Sequence, residues 1–201
     1  MSATGKEEER ERGARTTTTT TTTKPPPHPP SSPYERCAAA LAKLCRNPSY
    51  EGFESSPMQQ VSLISASAET RSTKWALRVV PALCNMGGNL HGGAAATLLD
   101  TLTSMALVAI TEKGFLDRGH VSRSLSCTYL RPAPVGDYIV ESWVLEVGKR
   151  MACVRGEIRT PDGPQGDKGK VCVECVHDKA IFGPDDARQT SKAQTPPKSR
   201  L

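Results

Sequence analysis

The sequence predicts an α+β fold in which one antiparallel sheet wraps a single long central helix. Two observations carry this. Six runs alternate apolar and polar residues with the period of a strand and fall into hairpins separated by turn-like breaks, whereas residues 91–112 are apolar around most of a helical circumference. The flanks take no part. Residues 1–33 hold the mixed-charge run KEEERER, an unbroken run of threonines from Thr16 to Thr23 and KPPPHPPSSP, too little apolar surface to offset the entropy of ordering. They read as a disordered Thr/Pro-rich tail and residues 184–201 as a disordered basic tail, which leaves 34–183 as one domain of ordinary size.

The elements follow in order. PYERCAAALAKLCRN carries apolar residues at Cys37, Ala38, Leu41, Leu44 and Cys45, so an amphipathic helix of about three turns is predicted, ending near Asn47-Pro48 and packing on the outside of the domain. QQVSLISAS and STKWALRVV then alternate as two antiparallel strands joined near Glu69-Thr70, with Pro81 closing the second. After the central helix come HVSRSLSCTYL, DYIVESWVLEV, MACVRGEIRT and GKVCVECVHDKAIF, separated by RPAPVGD, GKR and PDGPQGDKG. Trp143 and Met151 are expected in the core or in a substrate pocket.

The central helix has an unusual polar face. Leu98, Leu99, Leu102, Met105, Ala106, Val108, Ala109 and Ile110 leave room for one polar stripe, Thr97, Asp100, Thr101 and Ser104, at i, i+3, i+4 and i+7. A carboxylate there is costly unless it meets water, a partner chain or a hydrogen-bond donor. At the helix start, NLHGG offers backbone N–H groups with no intrahelical acceptor at the positive end of the macrodipole, and glycine lets another molecule approach closely. Such donors suit a carbonyl oxygen that gains negative charge during attack. Gly92 and Asp100 are eight residues apart, about 12 Å along a helix, too far to serve one carbonyl in one chain. Two copies with antiparallel central helices bring the Gly92 end of one to Asp100 of the other, giving two equivalent sites in a twofold dimer.

The pattern N-x-x-G-x-L-H-G-G-x-x-A-T-L-x-D at 85–100, the serine of HVSRSLSCTYLRPA and the run GDYIVESWVLEVGKR resemble the hotdog-fold acyl-CoA thioesterases of the phenylacetate-degradation (PaaI) type, over roughly Gln59 to Phe182. The resemblance implies a hotdog fold and hydrolysis of acyl-CoA to free acid and coenzyme A. It implies that Asn85 and the Gly92 N–H bind the thioester carbonyl, and that Asp100 of the facing subunit acts as general base on a water, or as a nucleophile. Ser122 is then expected to orient that water and His91 to shape the loop beside the thioester. A dimer of dimers is also implied. Each residue has a plainer reading: Asp100 as a structural cap, Asn85 as turn chemistry, Ser122 as an ordinary strand serine, His91 as a local hydrogen-bonding group.

No metal and no separate cofactor is expected, because coenzyme A is part of the substrate. Its phosphates need a basic site, for which Arg131, Lys149 and Arg150 at strand ends are candidates, with Tyr129 and Lys179 as additions. Met1–Leu201 carries a net charge of +5, but residues 51–183 hold 14 Lys/Arg against 14 Asp/Glu, so the excess lies in the flanks and nucleic acid is not indicated. Cys172 and Cys175, three apart in a strand, point to opposite faces and read as buried thiols instead of metal ligands. Seven cysteines without a signal peptide, and no apolar run that spans a bilayer free of charge, suggest a cytoplasmic protein, with a mitochondrial one as the alternative. Two other functions stay open: a hotdog hydratase or dehydratase, which wants a histidine paired with a carboxylate, and a non-catalytic acyl-CoA-binding protein.

Overall fold

The structure, a computed structural model, describes residues 32–45, 50, 52–111, 120–164 and 166–181. Both expected tails fall almost wholly outside the described residues. In chain order the elements are α1 (Pro33–Cys45), α2 (Ser55–Met58), β1 (Val61–Ser67), β2 (Ser72–Val79), a 3-10 turn at Pro81–Leu83, α3 (Gly92–Ile110), β3 (His120–Tyr129), β4 (Gly136–Val147), β5 (Met151–Arg159) and β6 (Val171–Ile181). The six strands form one sheet in the order β1-β2-β4-β5-β6-β3, every neighbouring pair antiparallel, so β1 and β3 are its edges. This is the helix-wrapping sheet that the hydrophobic periods predict. The one-turn α2 went unforeseen because four residues, Ser-Ser-Pro-Met, are too few to show a period.

The core sits between the sheet and α3. Leu98, Leu99 and Leu102 are fully buried in one cluster with Trp75, Val140 and Ile158, while Ala106 and Leu107 pack with Val154 and Val144. The helix packs tightly against β5, where Gly156 faces it. A Cβ there would lie 2.8 Å from Thr103 Cγ2 and 3.1 Å from Leu99 Cδ2, so the missing side chain is what admits the helix.

α1 packs against α3. Cys37 is fully buried, and the Arg36 guanidinium donates to the Val108 and Ala109 carbonyls at 3.2 and 2.7 Å. A cation on the last open carbonyls complements the negative end of that helix. α3 has the length and apolarity of a membrane span, but it is mostly buried inside the domain and is the core helix. Trp143 is only half-buried, on the face of the sheet away from α3, with the Lys168 ammonium 5.1 Å from its ring centre. Met151 is exposed at the start of β5.

Candidate functional site

The segment before α3 is a tight turn built by Asn85. Its backbone N–H donates to the Asn89 carbonyl at 2.8 Å, and its side-chain Oδ1 accepts the Gly87 and Asn89 N–H groups at 2.9 and 3.3 Å. Gly88 closes the turn at φ +73°, a conformation that favours glycine. With Oδ1 so engaged, the Nδ2 amino group is the part of the side chain left to donate elsewhere. The turn chemistry is present, and it leaves the expected donor role open to the other atom of the same side chain.

His91 is the N-cap of α3, its Nδ1 accepting the Gly93 N–H at 2.9 Å. That contact takes one of the helix's open donors, and an accepting Nδ1 puts the proton of the neutral ring on Nε2. Gly92 N–H, the first of the helix, remains a donor with no intrahelical acceptor. Tyr129 packs over Gly92, and its hydroxyl donates to the Gly92 carbonyl at 2.9 Å. Asn85, Gly92, Tyr129, Arg131, Ala133 and Val173 line one hollow of about 450 Å³.

Asp100 opens onto a different hollow, about 340 Å³, with Phe53, Glu54, Ala96, Thr97, Thr101 and Leu125. Its side chain is 43% exposed there, so water reaches it. Behind it the structure gathers groups from β3 and β6. Ser122 Oγ donates to Asp100 Oδ1 at 2.5 Å, and the Lys179 ammonium donates to Ser122 Oγ at 3.3 Å. His177 Nε2 lies 3.2 Å from the same Oδ1, within ion-pair reach but off the alignment of a hydrogen bond, while its Nδ1 is 2.6 Å from Thr103 Oγ1.

The surroundings of that histidine work against a charged ring. Burial, with the Lys179 charge second, pushes the His177 pKa down to about 4 against the pull of Asp100 and Asp178, so the ring is neutral at physiological pH. His120 is lowered to about 4 in the same way, by burial first and then by Lys179. Burial also pulls Lys179 below the ordinary lysine value, with Asp100 opposing. The nearby thiols point away from nucleophilic chemistry: burial raises Cys127 and lifts Cys175 to about 12.

Among the expected phosphate ligands, Lys179 lies elsewhere than at a groove mouth. It is 2% exposed, on the inward face of β6 with Val173, Cys175 and His177, and its ammonium sits under Ser122. The period of the strand could have shown this, since odd-numbered positions from 173 to 179 share one face. Sequence reasoning missed His177 for the same reason, whereas His120 turns inward only because of an irregularity in β3 between Ser122 and Ser124. Arg131 is exposed in the Gly92 hollow and donates to the Val171 carbonyl at 2.7 Å. Lys149 and Arg150 are exposed at the β4–β5 turn, beside the far end of β6 where Met151 pairs with Ala180. Arg131 therefore shares the hollow of Asn85 and Gly92, whereas Lys149 and Arg150 stand at the sheet end of Asp100 and Ser122.

Comparison with known proteins adds the lineage. Residues 87–166 match the model of the thioesterase superfamily. Over those residues the chain is similar to that superfamily, and its antiparallel sheet around one central helix is the hotdog fold. A solved mouse structure, thioesterase superfamily member 2, is similar at TM-score 0.59 with 26% identity, covering 75% of this chain and 98% of that one. Mouse acyl-coenzyme A thioesterase 13 is 36% identical over 96 residues, 47% of this chain and 64% of that protein. The proofreading thioesterase EntH of Klebsiella pneumoniae is 35% identical over 96 residues, 48% of this chain and 64% of its own length. The matches span between 46% and 64% of the length of these and the other curated relatives.

Proposed function

We propose that this protein hydrolyses acyl-CoA thioesters as a homodimer whose two active sites are each shared between subunits. The observation that carries the reading is the placement of Gly92 and Asp100 on one helix, each at its own hollow and about 12 Å apart. Asn85 Nδ2 and the Gly92 N–H of one subunit hold the thioester carbonyl. Asp100 of the other takes a proton from a water as that water attacks. The carbonyl oxygen becomes an oxyanion against the two donors, and collapse of the tetrahedral species expels the coenzyme A thiolate. No group beyond these residues is needed, because a thioester is already an activated acyl donor.

The open edge of β3 supports the assembly, since its unpaired backbone groups are a template for a second copy. Val121, Tyr129, Met86 and Phe53 are exposed, the apolar surface a partner would cover. Arg131 at one hollow and Lys149 and Arg150 near the other suit the nucleotide phosphates of the substrate, and dimers pair further into a tetramer. The similarity to acyl-coenzyme A thioesterase 13 and to EntH supports the reaction class.

Turnover is tested with acyl-CoAs of increasing chain length and a thiol reagent for released coenzyme A. Asp100→Asn should lose most of it, on the order of a hundredfold or more; wild-type turnover on every acyl-CoA would overturn the mechanism. Mixing Asp100→Asn with Asn85→Ala subunits tests the sharing. Random pairing makes half the dimers mixed, each with one intact site, so about a quarter of wild-type activity should return. No return would place each site within one chain. An enoyl-CoA that gains water would favour the hydratase reading, for which the His177–Asp100 proximity is the relevant feature. Binding without turnover would favour a carrier.

A further inference from the structure

We infer that Lys179 is a positioning residue for this reaction: its buried ammonium donates to Ser122 Oγ, which commits the Ser122 hydroxyl hydrogen to Asp100 Oδ1 and leaves Asp100 Oδ2 as the oxygen that meets water. The inference rests on Asp100 being the base. The direction of the chain follows from donor chemistry. An ammonium has only donors, so the 3.3 Å contact makes Ser122 Oγ the acceptor. A hydroxyl has a single hydrogen, and the 2.5 Å contact to a carboxylate oxygen takes it. Ser122 then has no hydrogen left for a water, so it orients the carboxylate and not the nucleophile, a different role from the one the family resemblance implies. His177 Nε2 crowds the same Oδ1 at 3.2 Å, which also leaves Oδ2 as the open oxygen.

Burial makes the arrangement functional in character. Lys179 is 2% exposed, and a cation so placed is costly unless it acts on a nearby negative charge. The groups around the pair are Thr103 from α3, His120, Ser122 and Cys127 from β3, and Cys175, His177 and Asp178 from β6. Both histidines are neutral and both thiols protonated, while Asp178 accepts from Ser124 Oγ at 3.1 Å. Lys179 is thus the formal cation within this set. Asp100 is the carboxylate it reaches, through one hydroxyl.

The experiment compares Lys179→Met, Lys179→Gln, Ser122→Ala and the double variant Ser122→Ala/Lys179→Met in the full chain, reading kcat and KM separately on an acyl-CoA substrate. Lys179→Met should lower kcat on the order of tenfold with KM unchanged, because the Ser122 hydroxyl is no longer held toward Asp100. A phosphate ligand would instead raise KM. Lys179→Gln keeps a donor to Ser122, so it should retain more kcat than the methionine variant at the same KM, and it serves if the methionine variant does not fold. The double variant should cost no more than Ser122→Ala alone, since Lys179 acts through that hydroxyl. Wild-type kcat in Lys179→Met, a loss in Lys179→Gln as large as in Lys179→Met, or additive losses in the double variant would overturn the inference while Asp100→Asn stays inactive. Full activity of Asp100→Asn would instead overturn the base assignment and this inference with it.

Discussion

Ser122 meets Asp100 because the strand that carries it is irregular. The β3–β6 register shifts between Ser122 and Ser124: Leu125 pairs with His177 and Cys127 with Cys175, but Ser122 pairs with Lys179. A regular strand with Leu125 and Cys127 facing α3 would turn Arg123 inward and Ser122 out. The bulge inserts one residue, so Ser122 and His120 face the helix instead and Arg123 lies exposed. The 2.5 Å contact between Ser122 Oγ and Asp100 Oδ1 depends on that extra residue.

Asn85 Oδ1 builds the turn, the proposed carbonyl contact falls to Nδ2, and substitutions separate the two. Asn85→Asp keeps an Oδ1 to accept the Gly87 and Asn89 N–H groups but has no Nδ2 to donate. Its melting temperature should stay near wild type while kcat falls about a hundredfold or more, the usual loss on removing one oxyanion donor. Asn85→Ala loses both and should also be less stable by about 1 kcal/mol. Equal kcat in wild type and Asn85→Asp, measured by thiol release, would remove Asn85 from the site.

Gly156 sets how closely the helix approaches the sheet. An alanine methyl there would lie 2.8 Å from Thr103 Cγ2 and 3.2 Å from Cys175 Sγ, inside ordinary contact distance. Gly156→Ala should destabilise by about 1–3 kcal/mol, visible as a shift of the urea midpoint. Since Thr103 Oγ1 contacts His177 Nδ1 at 2.6 Å, turnover should fall in the fraction that stays folded. An unchanged midpoint would show that the helix yields without cost.

Much of this was legible in the chain, and what was not has physical causes. Strand and helix periods gave the six strands, the buried helix and its polar stripe, and the fixed rise of a helix gave the separation of Gly92 from Asp100. The bulge was invisible, since HVSRSLSCTY holds no glycine or proline to mark it. Without it, Ser122 reads as an outward residue. Lys179 misled for a different reason: lysine is so rarely buried that its charge outweighed its position in the strand. His120 required both the bulge and the pairing of β3 with β6, which is a long-range contact that no local pattern encodes.

Arg131 should matter for the nucleotide end of the substrate and not for the chemistry. It lines the hollow of Asn85 and Gly92 and is exposed, well placed for a phosphate. Arg131→Ala should raise KM for an acyl-CoA several-fold, the loss of about 1 kcal/mol of charge-assisted binding, with kcat nearly unchanged. An acyl-pantetheine, which lacks the nucleotide, should show the same KM with both proteins. An equal rise for both substrates would mean that Arg131 shapes the acyl or carbonyl site instead.

The neutral histidines behind Asp100 make stability depend on acid. His177 titrates near 4 in the fold against an ordinary 6.5, because burial and the Lys179 charge resist a second cation. As pH falls below 6.5 the unfolded chain takes up the proton and the folded one does not, so the stabilisation present above 6.5 is lost progressively down to about 4. The loss from His177 is on the order of 3 kcal/mol at the lower limit, and His120, lowered to about 4, adds in the same direction. Urea midpoints measured from pH 7 to pH 4 should therefore fall more steeply in wild type than in His177→Gln, whose amide can still meet Thr103 Oγ1 but does not titrate. Parallel curves for the two proteins would place the acid sensitivity elsewhere in the fold.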